Sequence, residues 1–291
     1  MLQAKDLKNK IKSIKSINHI TKAMKMVAAA KLKKAQRKRE AITPYGNKIT
    51  SLVHSLYEQL SDVKNPYTNS NHATGKIILV VISSDKGLCG SFNTNIAKAF
   101  DKFMVSEDFQ EKIPEVITIG KKITTHVKKT KYNLTSEFED ITASPSMEEL
   151  NPIFKKVIKP FENKEVDEIY VLYTDYINNL KQEIKLEKLL PLKLESSENI
   201  TDKKINFELD PGAEKIFTFL LPRFVRTKFY SMIVSAVTSE YAVRMSSMEH
   251  ATEKSSEMLE ELVLMLNKIR QEGITLELLD IVSGSEALRN K

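Results

Sequence analysis

From residue 213 to residue 289 the chain carries no helix breaker apart from Pro222 near the start and Gly273 and Gly284 late on. Within that span Met245, Met248, Ala251, Ser255, Met258, Leu262, Met265 and Ile269 follow one another at steps of 3, 3, 4, 3, 4, 3 and 4. The mean step is close to 3.5, the repeat of a coiled coil rather than the 3.6 of a lone straight helix. At 1.5 Å per residue such a helix approaches ~100 Å, several times the diameter of a small domain. It cannot bury its stripe in a globule of its own, so it needs a second long element. At this spacing the methionines read first as a core seam and second as a soft, adaptable contact surface.

The second element lies at the other end of the chain. Leu7, Ile11, Ile14, Ile17, Ile20, Met24 and Val27 recur at steps of 4, 3, 3, 3, 4 and 3, the spacing of one helix face, with lysines opposite. Ala28, Ala29, Ala30, Leu32 and Ala35 follow, small residues that favour helix and permit close approach. Pro44 with Gly46 is expected to kink or break the helix before Ile49, Leu52, Val53, Leu56 and Leu60 resume the period. Two long helices with one stripe each bury those stripes most simply against one another.

Between them the pattern changes. Asn65 to Gly75 is polar and turn-rich, and Lys76 to Ile82 (KIILVVI) is an apolar β-branched run of the buried parallel kind. A helix from about Thr94 to Val105, a strand at Val116 to Ile119, a helix through Val127, a helix from about Met147 to Phe161 and a strand at Ile169 to Tyr173 give an alternating order. Gln182 to Leu194 reads as an antiparallel edge strand. The expected fold class is therefore α/β: a long antiparallel coiled coil of N- and C-terminal helices with an inserted Rossmann-like α/β domain. The expected boundaries are 1–60 for the first helix, 76–205 for the α/β domain and 211–291 for the last helix. Eight glycines, where about 20 is average for this length, fit a chain dominated by helix.

Charge is concentrated. Residues 1–40 hold 13 Lys+Arg against 2 Asp+Glu, net +11; residues 41–239 balance at 26 each; residues 240–291 hold 6 and 10, net −4. The +7 of the chain thus belongs to its N-terminal arm, suited to nucleic acid, an anionic membrane surface or an acidic protein partner, or merely to a solvated face. No run of 18 uninterrupted apolar residues suggests a membrane span, and Met1 to Lys12 lacks an apolar signal core. The single cysteine, Cys89, excludes an internal disulfide and reads as a buried structural thiol.

Catalytic chemistry is hard to assemble. Ser83 to Asn93 (SSDKGLCGSFN) follows a strand and precedes a helix, where a doubly wound domain binds ligands. It lacks both G-x-x-x-x-G-K-S/T and G-x-G-x-x-G, so a structural βα turn is the stronger reading and phosphate binding the weaker. His19, His54, His72, His126 and His250 show no metal spacing, and no nucleophile, base and oxyanion donor come together. No catalytic residue, cofactor or metal is expected.

Three stretches carry a resemblance. IKSIKSINHITKAMKMVAAAKLKKAQ (Ile11 to Gln36), SSDKGLCGSFNTNI (Ser83 to Ile96), and RMSSMEHAT (Arg244 to Thr252) with RQEGITLELLDIVSGSEAL (Arg270 to Leu288) closely resemble the gamma subunit of the rotary F-type ATP synthase, bacterial type, in order and across essentially the whole chain. The resemblance implies a non-catalytic central rotor stalk coupling ion flow through a membrane ring to ATP synthesis or hydrolysis in a hexamer of alpha and beta subunits. It implies as partners those two subunits, the epsilon subunit and the ring of c subunits, with peripheral membrane association through the complex only, at the cytoplasmic face of a bacterial cell membrane. It carries over contacts with the hexamer at Lys22, Met24, Lys25, Arg244, Arg270, Gln271 and Thr275, and with the c ring at Phe207 and Glu208. The rivals are a basic coiled-coil nucleic-acid-binding protein and an α/β enzyme with helical arms. Residues 1–40 contain no aromatic to stack on bases, which disfavours nucleic acid as a partner.

Overall fold

The structure, a computed structural model, describes residues 2–60, 65–68, 74–110, 112–141, 143–193 and 212–289. Two helices dominate: α1 (Leu2–Gln59) and α6 (Ala213–Arg289). The chain forms two compact units, Met1–Val27 with Met245–Lys291, and Ala28–Arg244.

In the first unit α1 and α6 run antiparallel. Asn18 bonds to Ser255, Thr21 touches Thr252, and Lys25 pairs with Glu249, so numbers rise on one helix as they fall on the other. The shielded positions on α1 up to Lys25 are Ala4, Leu7, Ile11, Ile14, Asn18, Thr21, Met24 and Lys25, which alternate by threes and fours as far as Thr21. On α6 Met245, Met248, Thr252, Ser255, Leu259, Leu262, Leu266 and Ile269 form such an alternating row, with Ser246, Ser247, Glu249 and Ala251 half-buried beside it. Both seams depart from the stripes read in the sequence. Ile17 and Ile20 are 47% and 58% exposed, and Val27 is exposed as well. Met258 and Met265, taken as core, are 37% and 55% exposed. On α1 successive steps of three carry the expected row round the helix, whereas a two-helix seam must return every seven residues. On α6 the row of Met258 and Met265 also returns every seven residues, and the seam takes the adjacent row of Leu259 and Leu266 instead.

The second unit is built on a five-stranded sheet of order β3-β2-β1-β4-β5. The strands are β1 (Lys76–Ile82), β2 (Ile113–Ile119), β3 (Asn133–Phe138), β4 (Glu168–Tyr176) and β5 (Gln182–Leu190). The first four pair in parallel, and β5 pairs antiparallel with β4 at the edge. Central β1 is buried from Ile77 to Ile82, as its unbroken apolar run requires when helices cover both faces. Helices α2 (Phe92–Met104) and α4 (Lys121–Val127) cover one face, packing Ile96, Phe100, Met104, Ile123 and Val127 on Leu79, Val81, Val116 and Leu172. A short α3 (Glu107–Gln110) links α2 to β2. On α5 (Asn151–Glu162) Phe154 stacks edge-on against Phe229 of α6, while Ser235 of α6 donates to Asp175 of β4 at 2.7 Å.

NLTSEF is mostly polar, so periodicity alone does not mark edge strand β3. Its side chains alternate exposed and half-buried, the mark of an edge strand. Pro44 does not break α1. The helix continues beneath buried Ile49, Val53 and Leu56, with Tyr57 stacked on Phe217 at 6.2 Å. Burying three aliphatic side chains at roughly 1.5–3 kcal/mol each outweighs a proline cost of about 3 kcal/mol. Thr43 Oγ1 also donates to the Arg39 carbonyl at 2.8 Å, in the turn before the proline.

Candidate partner interface

Apart from Lys25, which lies in the seam, the lysines of the first 27 residues are exposed on faces of α1 outside the seam. Lys22 is exposed, Met24 is half-buried, and Lys25 is half-buried with its Nζ 2.5 Å from Glu249 Oε1. The Lys25 ammonium holds the Glu249 carboxyl below the usual carboxylate range by hydrogen bonding and by charge. Beside these lysines Ile17, Ile20, Met26 and Val27 are exposed, so the cationic face also presents apolar surface. The sequence reading placed three of those four in the seam, and only the seven-residue return of the true seam reveals them as outward-facing.

On α6 the shielded positions end near Gly273. Every described side chain from Ile274 to Ser285 is exposed, among them Ile274, Leu276, Leu278, Leu279, Ile281 and Val282. Thr275 stands on this bare stretch and Arg270 and Gln271 lie just before it; all three are exposed, and Thr275 Oγ1 donates to the Gln271 carbonyl at 3.0 Å. An apolar run of this length in water is the signature of a surface that another protein covers.

Arg244 is placed differently. Its side chain is buried in the second unit, where Nη1 bonds Glu240 and Nη2 donates to the Lys86 carbonyl at 2.9 Å and the Gly87 carbonyl at 3.4 Å. Burial pushes the Glu240 carboxyl above the usual carboxylate range, and Arg244 pulls against that shift. The guanidinium therefore plugs the loop after β1, at the point where the strand order reverses and a doubly wound domain would ordinarily receive a ligand. The rest of that loop is also occupied internally. Ser84 Oγ donates to Asn93 Oδ1 at 2.9 Å, Asn93 Nδ2 to buried Cys89 Sγ at 3.0 Å, and the Lys121 amide to Asp85 Oδ1 at 3.0 Å. With the Lys86 and Gly87 carbonyls and the Ser84, Asp85, Cys89 and Asn93 side chains engaged inside the chain, and only Lys86 and Leu88 turned outward among its larger side chains, the loop reads as a structural turn. Among the described residues no group of three His, Cys, Asp or Glu is arranged to hold a metal, and no helix is long and apolar enough to cross a membrane. Phe207 and Glu208 lie outside the described residues. The sequence offered no sign of the Glu240 partner for Arg244, because only folding brings the loop to that turn of α6.

Comparison with known proteins bears on what covers the exposed surfaces. A family model described as ATP synthase matches residues 3–288. The ATP synthase gamma chain of Syntrophus aciditrophicus is 35% identical over 99% of this chain and 99% of its own length. That of Syntrophobacter fumaroxidans is 33% identical over 99% of this chain and 100% of its own. Among solved structures, a chain of the Euglena gracilis mitochondrial ATP synthase, OSCP/F1/c-ring in rotational state 3, matches with TM-score 0.64 and 16% identity, covering 98% of this chain and 94% of that one. A chain of the Tetrahymena thermophila mitochondrial ATP synthase central stalk and c-ring matches with TM-score 0.58 and 22% identity, covering 80% of this chain and 99% of that one.

Proposed function

The chain belongs to the gamma-chain family of ATP synthases, and from that premise we propose that the basic arm of α1 and the bare end of α6 are the surfaces on which alpha and beta subunits bear. The protein is the rotor stalk of that complex and carries no catalytic site of its own. The observation that carries the contact reading is the uncovered run from Ile274 to Ser285, an apolar helix end with no shielding from its own chain among the described residues.

Within the hexamer Arg270, Gln271 and Thr275 hydrogen-bond the surrounding collar, while the neighbouring aliphatic side chains slide against it. Lys22, Met24 and Lys25 meet acidic loops of beta at its edge. Each orientation of an off-axis stalk stabilises a different conformation of each catalytic subunit, so rotation acts as a coupling free energy between the ion-driven ring and the nucleotide sites. Arg244 contributes indirectly: its head is committed to Glu240 and the Lys86 carbonyl, so it steadies the loop after β1. Phe207 and Glu208 face the c ring, the epsilon subunit binds beside them, and the complex brings the chain to the cytoplasmic face of the bacterial membrane.

Contacts at the edge form and break on every step, with water ready to replace them, whereas bonds lost inside the collar cost about 1–3 kcal/mol each. Arg270→Ala or Gln271→Ala is therefore expected to lower ATP synthesis more than Lys22→Ala does. The measurement is ATP synthesis and ATP-driven ion pumping in membrane vesicles, normalised to assembled complex. Greater damage from the single lysine change refutes the assignment, and failure of the chain to co-assemble with alpha and beta subunits refutes the reading as a whole.

A further inference from the structure

The seam between α1 and α6 changes character along its length. From Ala4 to Ile14 on α1, and from Leu259 to Ile269 on α6, its positions are aliphatic and return every seven residues. Such a seam fits itself nearly as well when one helix slides by a heptad, ~10 Å along the axis. Over the next two turns the seam is polar. Asn18 Nδ2 lies 2.8 Å from Ser255 Oγ, 2.8 Å from Ser256 Oγ and 3.0 Å from the Thr252 carbonyl oxygen. Both serine hydroxyls donate to that same carbonyl, at 2.9 and 3.0 Å, leaving their lone pairs to accept from the amide. Thr21 Oγ1 and Thr252 Oγ1 are 2.8 Å apart, and Lys25 closes the set on Glu249. Thr21 and Ser255 are 9% and 5% exposed, Asn18 and Thr252 are half-buried and Ser256 is exposed, so the layer is shielded on its inner side and open to water at Ser256.

We infer that Asn18 is the positioning residue that fixes the axial register of the two helices. A slide of one heptad brings Asn18 opposite Met248 or Leu262 in place of Ser255, and Thr21 opposite Met245 or Leu259 in place of Thr252. Toward Leu262 the amide faces Leu262 and Val263, neither of which accepts a hydrogen bond; toward Met248 the Glu249 carboxylate takes the place of Ser256, but it is then drawn away from Lys25, and Thr21 loses Thr252. These losses disfavour a slipped register by roughly tenfold or more. A polar layer in an otherwise aliphatic seam specifies alignment in this way at some expense of stability. The consequence for coupling rests on the rotor reading: a pair that cannot slide delivers torque applied at one end to the other, instead of absorbing it as axial slip.

The test uses the assembled complex. Thr21→Cys with Thr252→Cys reports the native register, because the two side chains already touch and the acceptors of Asn18 remain in place. Thr21→Cys with Met245→Cys or with Leu259→Cys reports a heptad slip in either direction. With Asn18 present only the native pair should cross-link under mild oxidation. In Asn18→Leu the slipped pairs should rise from background to a yield comparable with the native pair, and the ions pumped per ATP should fall more than ATP hydrolysis does. Asn18→Gln, which keeps the amide, should restore the native pattern. If Asn18→Leu fails to assemble, Asn18→Ala is read in the same way. Native cross-links alone in the Leu and Ala variants, with unchanged pumping, overturn the assignment. Slipped cross-links without lost coupling overturn the torque role, and the cross-link pattern reads the register whether or not the rotor reading holds.

Discussion

Arg244→Met tests whether the guanidinium is the plug that holds the loop after β1. Methionine matches the length of the arginine stem, so packing is largely kept while three interactions vanish: the pair with Glu240 and the bonds to the Lys86 and Gly87 carbonyls. The side chains of Arg244 and Glu240 are 9% and 14% exposed, so solvent screens the pair weakly. Leaving one member of such a pair buried and alone costs about 3–5 kcal/mol, a large share of a total stability of roughly 5–15 kcal/mol. The cost should depend on pH with a definite sign. Burial raises the Glu240 carboxyl in the folded chain, and removing the arginine, which opposes that shift, raises it further. The folded variant then holds a proton that the unfolded chain releases, so its stability relative to wild type is greatest below the ordinary glutamate range. That relative stability falls as pH rises through the raised folded value. Urea unfolding of the purified chain, followed by circular dichroism at pH 5 and pH 8, measures both quantities. Adding Glu240→Gln to Arg244→Met should recover much of the loss at pH 8, because no buried charge remains. A loss below about 1 kcal/mol, or the same loss at both pH values, refutes the plug.

Further expectations follow from single sites. At Gly120 the backbone has φ +103°, and a Cβ would stand 2.3 Å from the Ser83 carbonyl oxygen, so Gly120→Ala should destabilise the second unit by at least ~2 kcal/mol in the same unfolding assay. Tyr230→Phe removes a buried hydroxyl that donates to the Pro145 carbonyl at 2.5 Å and should cost about 1–2 kcal/mol, read as a lower unfolding midpoint. Lys25→Gln breaks a half-exposed pair with Glu249 and should leave the thermal unfolding midpoint unchanged, since water and salt replace such contacts readily. A drop of several degrees would show that the pair is structural.

The sequence by itself determined the elements whose signal is local. A 77-residue helix without effective breakers, a basic helix at the other end and the KIILVVI strand follow from propensity and periodicity, and so does the alternating order that places the helices on the sheet. The tertiary structure decided which face of each long helix is buried. On α1 the row through Ile17 and Ile20 and the row through Asn18 and Thr21 are neighbours, and composition favours the first, yet it is the second that meets Ser255 and Thr252. The same choice turned Met258 and Met265 outward and gave their place to Leu259 and Leu266. Tertiary structure also decided the fate of the loop after β1. Its position in the chain marks a ligand site, but Arg244, 158 residues away from Lys86, fills it. Contacts between residues so far apart leave no periodic trace in either segment, because each side chain need only suit its local helix or turn, while the fold alone fixes what stands opposite.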